Sequence, residues 1–262
     1  MGLRYVAIME SALTVGFINW RARRIDIDGR TISTMPSVEE VIDRLKSKAE
    51  PNNLAGMAKY GIAVGQRLGV SVPDMRKIAK EVGRNHNLAL KLWQTGIAEA
   101  KIVAALVDDP EKLTEEQMET WVKDINSWDV CDQVCMNLFD KSPLAWKKVI
   151  DWSERDEEFV KRAAFSLIAC LAWHDKKSED ESFIKLLPVI VKCSDDDRNY
   201  VKKAVNWALR HIGKRNLNLN RVAINAAKEI KRIDSKAARW IASDAIRELE
   251  SEAVQKRLKG NS

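Results

Sequence analysis

Helix breakers are scarce in this chain: six prolines and eleven glycines are spread over 262 residues. Long windows therefore run without interruption, and clean alternation of apolar and polar side chains, the mark of a half-buried strand, is nearly missing. From Ser37 onward apolar residues return at spacings of three and four instead. The pattern predicts an all-helical protein, long enough to bury a sizeable core. Only four cysteines and three histidines are present. Cys131, Cys135, Cys170 and Cys193 lack paired short spacings, so reduced, buried thiols are expected and no metal is called for. Cys131 and Cys135 with one histidine form the one metal arrangement considered. His86, His174 and His211 fall near expected helix ends, where solvated or capping roles are the default. No Walker loop, strand-following GxGxxG or Ser/His/Asp spacing occurs.

Long hydrophobic runs are also missing. The stretch 5–20 is apolar but carries Glu10 and Asn19, is short for a membrane span, and is followed by Arg21, Arg23 and Arg24 rather than a cleavage site. It reads as neither anchor nor signal, so a cytoplasmic protein without a membrane partner is expected. Residues 1–35 read as an N-terminal extension and 36–262 as the main domain. Ser37, followed by Glu40, looks like a capping box opening the first helix.

The net charge of +6 is unevenly placed. From Arg198 onward there are 16 Lys/Arg against 6 Asp/Glu, and 28 against 32 before it. A basic last quarter suits a polyanion or a solvated lysine-rich surface.

Two segments align at an offset of 41: Asp156-Glu157-Glu158-Phe159-Val160-Lys161-Arg162-Ala163 and Asp197-Arg198-Asn199-Tyr200-Val201-Lys202-Lys203-Ala204. A period near 40 is that of stacked HEAT or armadillo repeats. The expected fold is a right-handed or curved solenoid of HEAT-like antiparallel helix pairs with a concave basic groove. Single helices are expected over 183–192 and 236–258 among others.

Three expected helices carry polar or aromatic residues off their apolar faces. After a Ser127 cap, Val130, Cys131, Val134, Cys135 and Leu138 share one face, while Trp128 and Asp132 sit one turn apart on its flank. Arg162 points opposite the face of Val160, Ala164, Leu167, Ile168 and Leu171, beside the small Ser166 and Ala169, so an uncrowded guanidinium is expected. Lys203, Trp207, Arg210 and Lys214 lie within about 60° of one another. Packing offers another account of each: Asp132 as a surface carboxylate, Trp207 as part of a second core between repeats.

Trp128-Asp129-x-x-Asp132, Arg162 after Phe-Val-Lys, Ala204-Val205-Asn206-Trp207-Ala208-Leu209-Arg210 and Leu68-Gly69-Val70-Ser71-Val72-Pro73 occur in an order that resembles the AlkD family of DNA alkylation-repair glycosylases. The resemblance runs from about Ser37 to the C-terminal region. It implies excision of N3- and N7-alkylated purines from duplex DNA, leaving an abasic site, without a cofactor, by a monomer acting on nucleoid DNA. It assigns Asp132 as the catalytic carboxylate, Trp128 and Trp207 as aromatic contacts to the lesion sugar and Arg162 as a backbone contact. Tyr60 falls at an N-terminal tyrosine position, although Gly61-Ile62-Ala63 departs from the bulkier family pattern. Arg210, Lys203 and Lys214 complete the expected DNA contacts. Alkylation makes the purine a cationic leaving group, so what remains is to stabilise an oxocarbenium-like sugar. Asp132 would do so by charge, and each tryptophan by roughly 0.5 to 2 kcal/mol of cation–π attraction. The family also has non-excising members. A non-catalytic binder of damaged or branched DNA, and a solenoid that takes a protein partner, are the alternatives.

Overall fold

The computed structural model describes residues 23–25, 31–33 and 36–260, and the chain divides into two compact units, Met1–Pro36 and Ser37–Ser262. In the first, β1 (Arg23–Ile25) pairs antiparallel with β2 (Thr31–Ser33), Arg24 opposite Ile32. Apart from this strand pair the described elements are helical, in keeping with the all-helical reading. The apolar stretch 5–20 lies outside the described residues.

The second unit is helical: α1 (Val38–Ser47), α2 (Asn52–Lys59), α3 (Val72–Val82), α4 (His86–Gln94), α5 (Ala98–Val107), α6 (Glu115–Lys123) and α7 (Trp128–Asn137) lead to a 3₁₀ turn at Phe139–Lys141. Then come α8 (Ala145–Ser153), α9 (Glu158–His174), α10 (Asp180–Ile184), α11 (Leu187–Lys192), α12 (Asn199–Gly213), α13 (Leu217–Ile230), α14 (Lys236–Leu249) and α15 (Glu252–Gly260). Local chemistry sets many of the starts. Ser37 and Glu40 form the reciprocal capping box, and the side chains of Ser71, Asn85, Thr114, Asn216 and Ser235 each accept from an N–H of the first turn.

Two expected helices are broken. The stretch 183–192 splits into α10 and α11 because Pro188 lacks an N–H and its ring would meet the Ile184 carbonyl, so it stands in the first turn of a new helix. The stretch 236–258 stops at Leu249 and restarts at Glu252, with the Ser251 hydroxyl donating to the Glu248 carbonyl at 2.7 Å.

Helices α3, α5, α7, α9, α12 and α14 form one stack, each packed on the next. A second row covers them, α4 on α5, α8 on α9, and α13 on both α12 and α14. This is the HEAT-like arrangement expected from the 41-residue offset. The repeat copies keep their phase: Val160, Ala163, Ala164, Leu167, Ile168 and Leu171 of α9 are buried, as are Val201, Ala204, Val205, Ala208, Leu209 and Ile212 of α12. Alanines at these positions let α9 lie close against its neighbours, and one core runs from Val41 to Leu249. No helix among the described residues is long and apolar enough to cross a membrane.

Candidate functional site

The site is built on a loop pinned to the start of α7. Ser127 occupies the N-cap position, but its hydroxyl does not cap the helix. It donates to Asp129 Oδ1 at 2.6 Å and accepts from the Ala63 N–H at 3.2 Å. Asp129 in turn takes both guanidinium nitrogens of buried Arg67, at 2.7 and 2.9 Å, while Arg67 Nε donates to the Ala63 carbonyl. On the other side of the loop, fully buried Glu99 accepts the N–H groups of Leu68 and Gly69 at about 3 Å. Gly69 has φ +80, and a Cβ there would lie 2.4 Å from the Glu50 carbonyl oxygen, so glycine is required. These bonds fix the segment that carries Tyr60. Trp128 Nε1 completes the attachment by donating to the Tyr60 carbonyl at 3.1 Å.

The stack brings α7, α9 and α12 together beside this loop, enclosing a cleft of about 290 Å³ lined by Tyr60, Trp128, Asp132, Arg162, Tyr200, Lys203 and Trp207. Six of these were singled out by sequence. Asp132 is at the bottom, with a side chain 16% exposed. Both of its oxygens accept from Arg162 Nη2, at 2.9 and 2.8 Å, and Oδ1 also accepts from the Ser166 hydroxyl at 2.9 Å. Burial lifts the Asp132 carboxyl above its ordinary range, whereas the Arg162 charge, its hydrogen bonds and the Ser166 hydroxyl act the other way. Because a guanidinium stays charged, these donors hold the carboxylate form.

The expectation of an uncrowded Arg162 is overturned. The residue is only 5% exposed. Its neighbours on α9 are small, but the space they leave is filled by α7 and α12. Nη2 is committed to Asp132 and Nη1 donates to the Tyr200 carbonyl at 2.7 Å. What Arg162 does in this geometry is orient and neutralise Asp132.

Trp128 and Trp207 flank the carboxylate and are both partly exposed. The Arg162 guanidinium carbon stands 6.0 Å from the centre of the Trp128 ring, and Trp207 meets His211 edge to face at 5.6 Å. Tyr60 is 77% exposed at the rim. Lys203 is exposed and has no hydrogen bond or ion pair among the described residues. The other two cations of its row are not free. Arg210 pairs with Glu248, and Lys214 reaches the same carboxylate at 2.7 Å, because α14 brings Glu248 alongside the face of α12.

Tyr200 is the residue that sequence reasoning missed. Its hydroxyl donates to the Gly61 carbonyl at 2.7 Å and its ring stacks on Phe159 at 5.3 Å, so it ties α12 to the Tyr60 loop. The signal was present. Tyr200 precedes Lys203 and Trp207 by three and seven residues, on one helix face, and replaces the Phe159 of the aligned segment by a ring with a hydroxyl.

The cysteines lie elsewhere. Cys131 and Cys135 are buried with sulfurs facing the Phe159 and Ala163 carbonyls, and burial pushes the Cys135 thiol well up. His86 and His174, the latter exposed, each bond an aspartate whose side chain is buried, Asp108 and Asp140, while His211 lies between the Trp207 and Trp173 rings.

Residues 41–249 match the family described as DNA alkylation repair enzyme. The chain belongs to that family. Among solved structures it is similar to one described as "A new family of proteins related to the HEAT-like repeat DNA glycosylases with affinity for branched DNA structures", at 20% identity and TM-score 0.68, covering 81% of this chain and 95% of that one. A designed armadillo repeat protein is similar at 17% identity and TM-score 0.36, over 82% of this chain and all of that one. An uncharacterized protein of Listeria monocytogenes is 23% identical over 137 residues, 51% of this chain and 61% of that protein's length.

Proposed function

We propose that this chain is a DNA glycosylase that removes positively charged N3- or N7-alkylated purines from duplex DNA. The observation that carries the reading is the placement of an immobilised carboxylate, Asp132, between two partly exposed indoles, Trp128 and Trp207, in one cleft.

In the reaction, the bond between C1′ of the sugar and the purine nitrogen breaks, and its electron pair goes to the base, cancelling the charge that alkylation put there. The base leaves neutral, so no acid is needed to protonate it. The sugar is left as an oxocarbenium ion. Asp132 faces that charge as a carboxylate held still by Arg162 and Ser166, and preorganised charge of this kind stabilises a transition state without rearrangement. The indole faces add cation–π attraction. Water then adds to C1′ and loses a proton to solvent, leaving an abasic site. Lys203, without a partner among the described residues, would take a phosphate, and Tyr60 the strand beside the sugar.

The test is release of methylated purine from methylated duplex DNA by the wild type and by Asp132→Asn. Release by the wild type that the variant loses supports the reading; equal rates overturn it.

A second reading is favoured by the bonding of Asp132, whose two oxygens are already occupied by Arg162. A carboxylate neutralised in this way would serve a binder that recognises branched DNA, as the structural relative is described to do. It predicts DNA binding without base release.

A further inference from the structure

We propose that Trp173 is a second aromatic contact for DNA, a shelf on which a nucleobase that has left its pair stacks, several nucleotides from the sugar held at Asp132. This rests on reading the cleft as a DNA site. Three observations lead to it.

Trp173 is 50% exposed, yet its ring is held on two sides. His174 stacks on it at 4.8 Å and 26°, and His211 meets it edge to face at 6.3 Å. His174 is itself anchored by the buried carboxylate of Asp140. An indole that is both fixed and half open has its ordering cost already met and keeps apolar surface for a ligand.

The shelf is also continuous with the cleft. His211 touches both Trp173 and Trp207, and Trp207 lines the cleft. On α9, Trp173 follows Arg162 by eleven residues, which returns it to within about 20° of the same face, three turns and about 16 Å further on. That length equals roughly five base steps of a DNA strand.

The surroundings select the partner. Arg210 and Lys214 lie beside His211 and share Glu248, with Asp244 3.8 Å from Arg210, and Arg257 donates to the Lys214 carbonyl at 2.9 Å. Burial, with those cations, holds His211 down to about 4, so at neutral pH it is an uncharged ring in the aromatic row. A half-open aromatic face at the end of such a row suits single-stranded or extruded nucleotides, the base stacking on the ring and the backbone phosphates drawing Arg210 and Lys214 away from Glu248.

The experiment uses the full chain and a fluorescent duplex with one abasic-site analogue and a bulged 2-aminopurine about five base pairs from it, on either side in separate duplexes, beside the fully paired control. Binding by anisotropy and quenching of the 2-aminopurine are read together. The wild type is expected to prefer one of the bulged duplexes by about tenfold, with quenching. Trp173→Ala is expected to bind all three alike without quenching, while Trp173→Phe keeps most of the preference. A preference that survives Trp173→Ala, or a wild type that binds paired and bulged duplexes equally or binds neither, overturns the proposal. Methylated-base release is measured in parallel. If release is missing while the Trp173-dependent quenching persists, the glycosylase reading fails and the shelf stands. If release is normal and quenching is missing, the reverse holds.

Discussion

At Trp152 on α8 the indole is fully buried, its Nε1 donates to Glu119 at 2.7 Å, and Lys148 beside it reaches Glu115 and Glu119 at 2.8 and 2.7 Å. At Trp128 on α7 the indole is only partly covered, and its neighbouring cation and carboxylate, Arg162 and Asp132, border a cleft of about 290 Å³. Residue types are nearly the same in the two clusters, but the environment is reversed. In the first, the cation and the ring are inside and the carboxylates reach toward water; in the second, the ion pair is inside and the rings face out. Their carboxyls respond in opposite directions. The hydrogen bonds and charges of Lys148 and Lys147 hold Glu115 down to about 2, whereas burial lifts Asp132 above its ordinary range. A carboxylate that is neutralised and exposed serves stability. Asp132, also paired with a cation, is buried beneath partly exposed rings, and that burial lifts its carboxyl.

The largest expected effect separates the two. Asp132→Asn should lower methylpurine release by about 10²- to 10³-fold, the usual loss when a preorganised electrostatic group is removed, and because it leaves the buried Arg162 guanidinium without its counter-charge it should lower Tm as well. Lys148→Met should lower stability without touching release. It takes the buried cation from Glu119, which keeps the Trp152 indole and Arg155 at 3.6 Å, and because the carboxylates are partly open to water the cost is discounted to about 2 kcal/mol. For a chain of this size that lowers Tm by roughly 4–8 °C, read by calorimetry, with base release unchanged. If Lys148→Met lost release along with stability, the distinction between the clusters would be wrong.

Acid sharpens the same contrast. On the proposed reading Asp132 works as a carboxylate, so release should fall on the acid side as pH drops through its raised pKa, up to tenfold per unit, and the midpoint should lie above the ordinary aspartate range. Glu115 has a depressed value. Its contribution to stability is present in full above the ordinary carboxylate value and is lost as pH falls toward about 2. In Lys148→Met that acid-dependent part of stability should shrink. Release rates and melting curves across the same pH series would show the two limbs apart.

The same two clusters show how far the chain could be read from sequence. Helix phase was legible because burial follows spacing: Val130, Cys131, Val134, Cys135 and Leu138 are all inside, as their 3.6-residue period requires. Off-face residues were legible as candidates for the same reason, and Trp128, Asp132 and Trp207 do share a cleft. What spacing within one helix could not give was the occupant of the opposite side. Arg162 faced open space on its own helix, and only the arrival of Asp132 from α7 and the Tyr200 carbonyl from α12 buried it. Arg210 and Lys214 were read as free cations for want of Glu248, thirty-four residues or more beyond them. Pro188 marked a helix break that the apolar period of 183–192 masked.

Lys203 allows a quantitative check on the rim. With no partner to lose among the described residues, Lys203→Ala should leave folding alone, weaken duplex binding a fewfold at moderate salt, and reduce the slope of log affinity against log salt by about one. Lys214→Ala, which removes a cation already paired with Glu248, should change the slope less. Equal slopes for both variants would mean that Glu248 releases Lys214 when DNA arrives.

The smallest effect concerns the hold that α12 has on the loop. Tyr200→Phe keeps the ring on Phe159 but removes the hydroxyl that donates to the Gly61 carbonyl. Gly61 has φ +72 and sits against that hydroxyl, so the bond fixes a turn in the left-handed region, immediately after Tyr60. One neutral hydrogen bond contributes about 1 kcal/mol, so the loss corresponds to roughly a fivefold rise in KM for methylated duplex as Tyr60 loses its fixed position. Because Arg162 is held by the Tyr200 backbone and not its side chain, Asp132 keeps its partner and kcat should stay. A fall in kcat with KM unchanged would mean that the hydroxyl reaches the reacting sugar itself, and that Tyr200 belongs with Asp132 rather than with the loop.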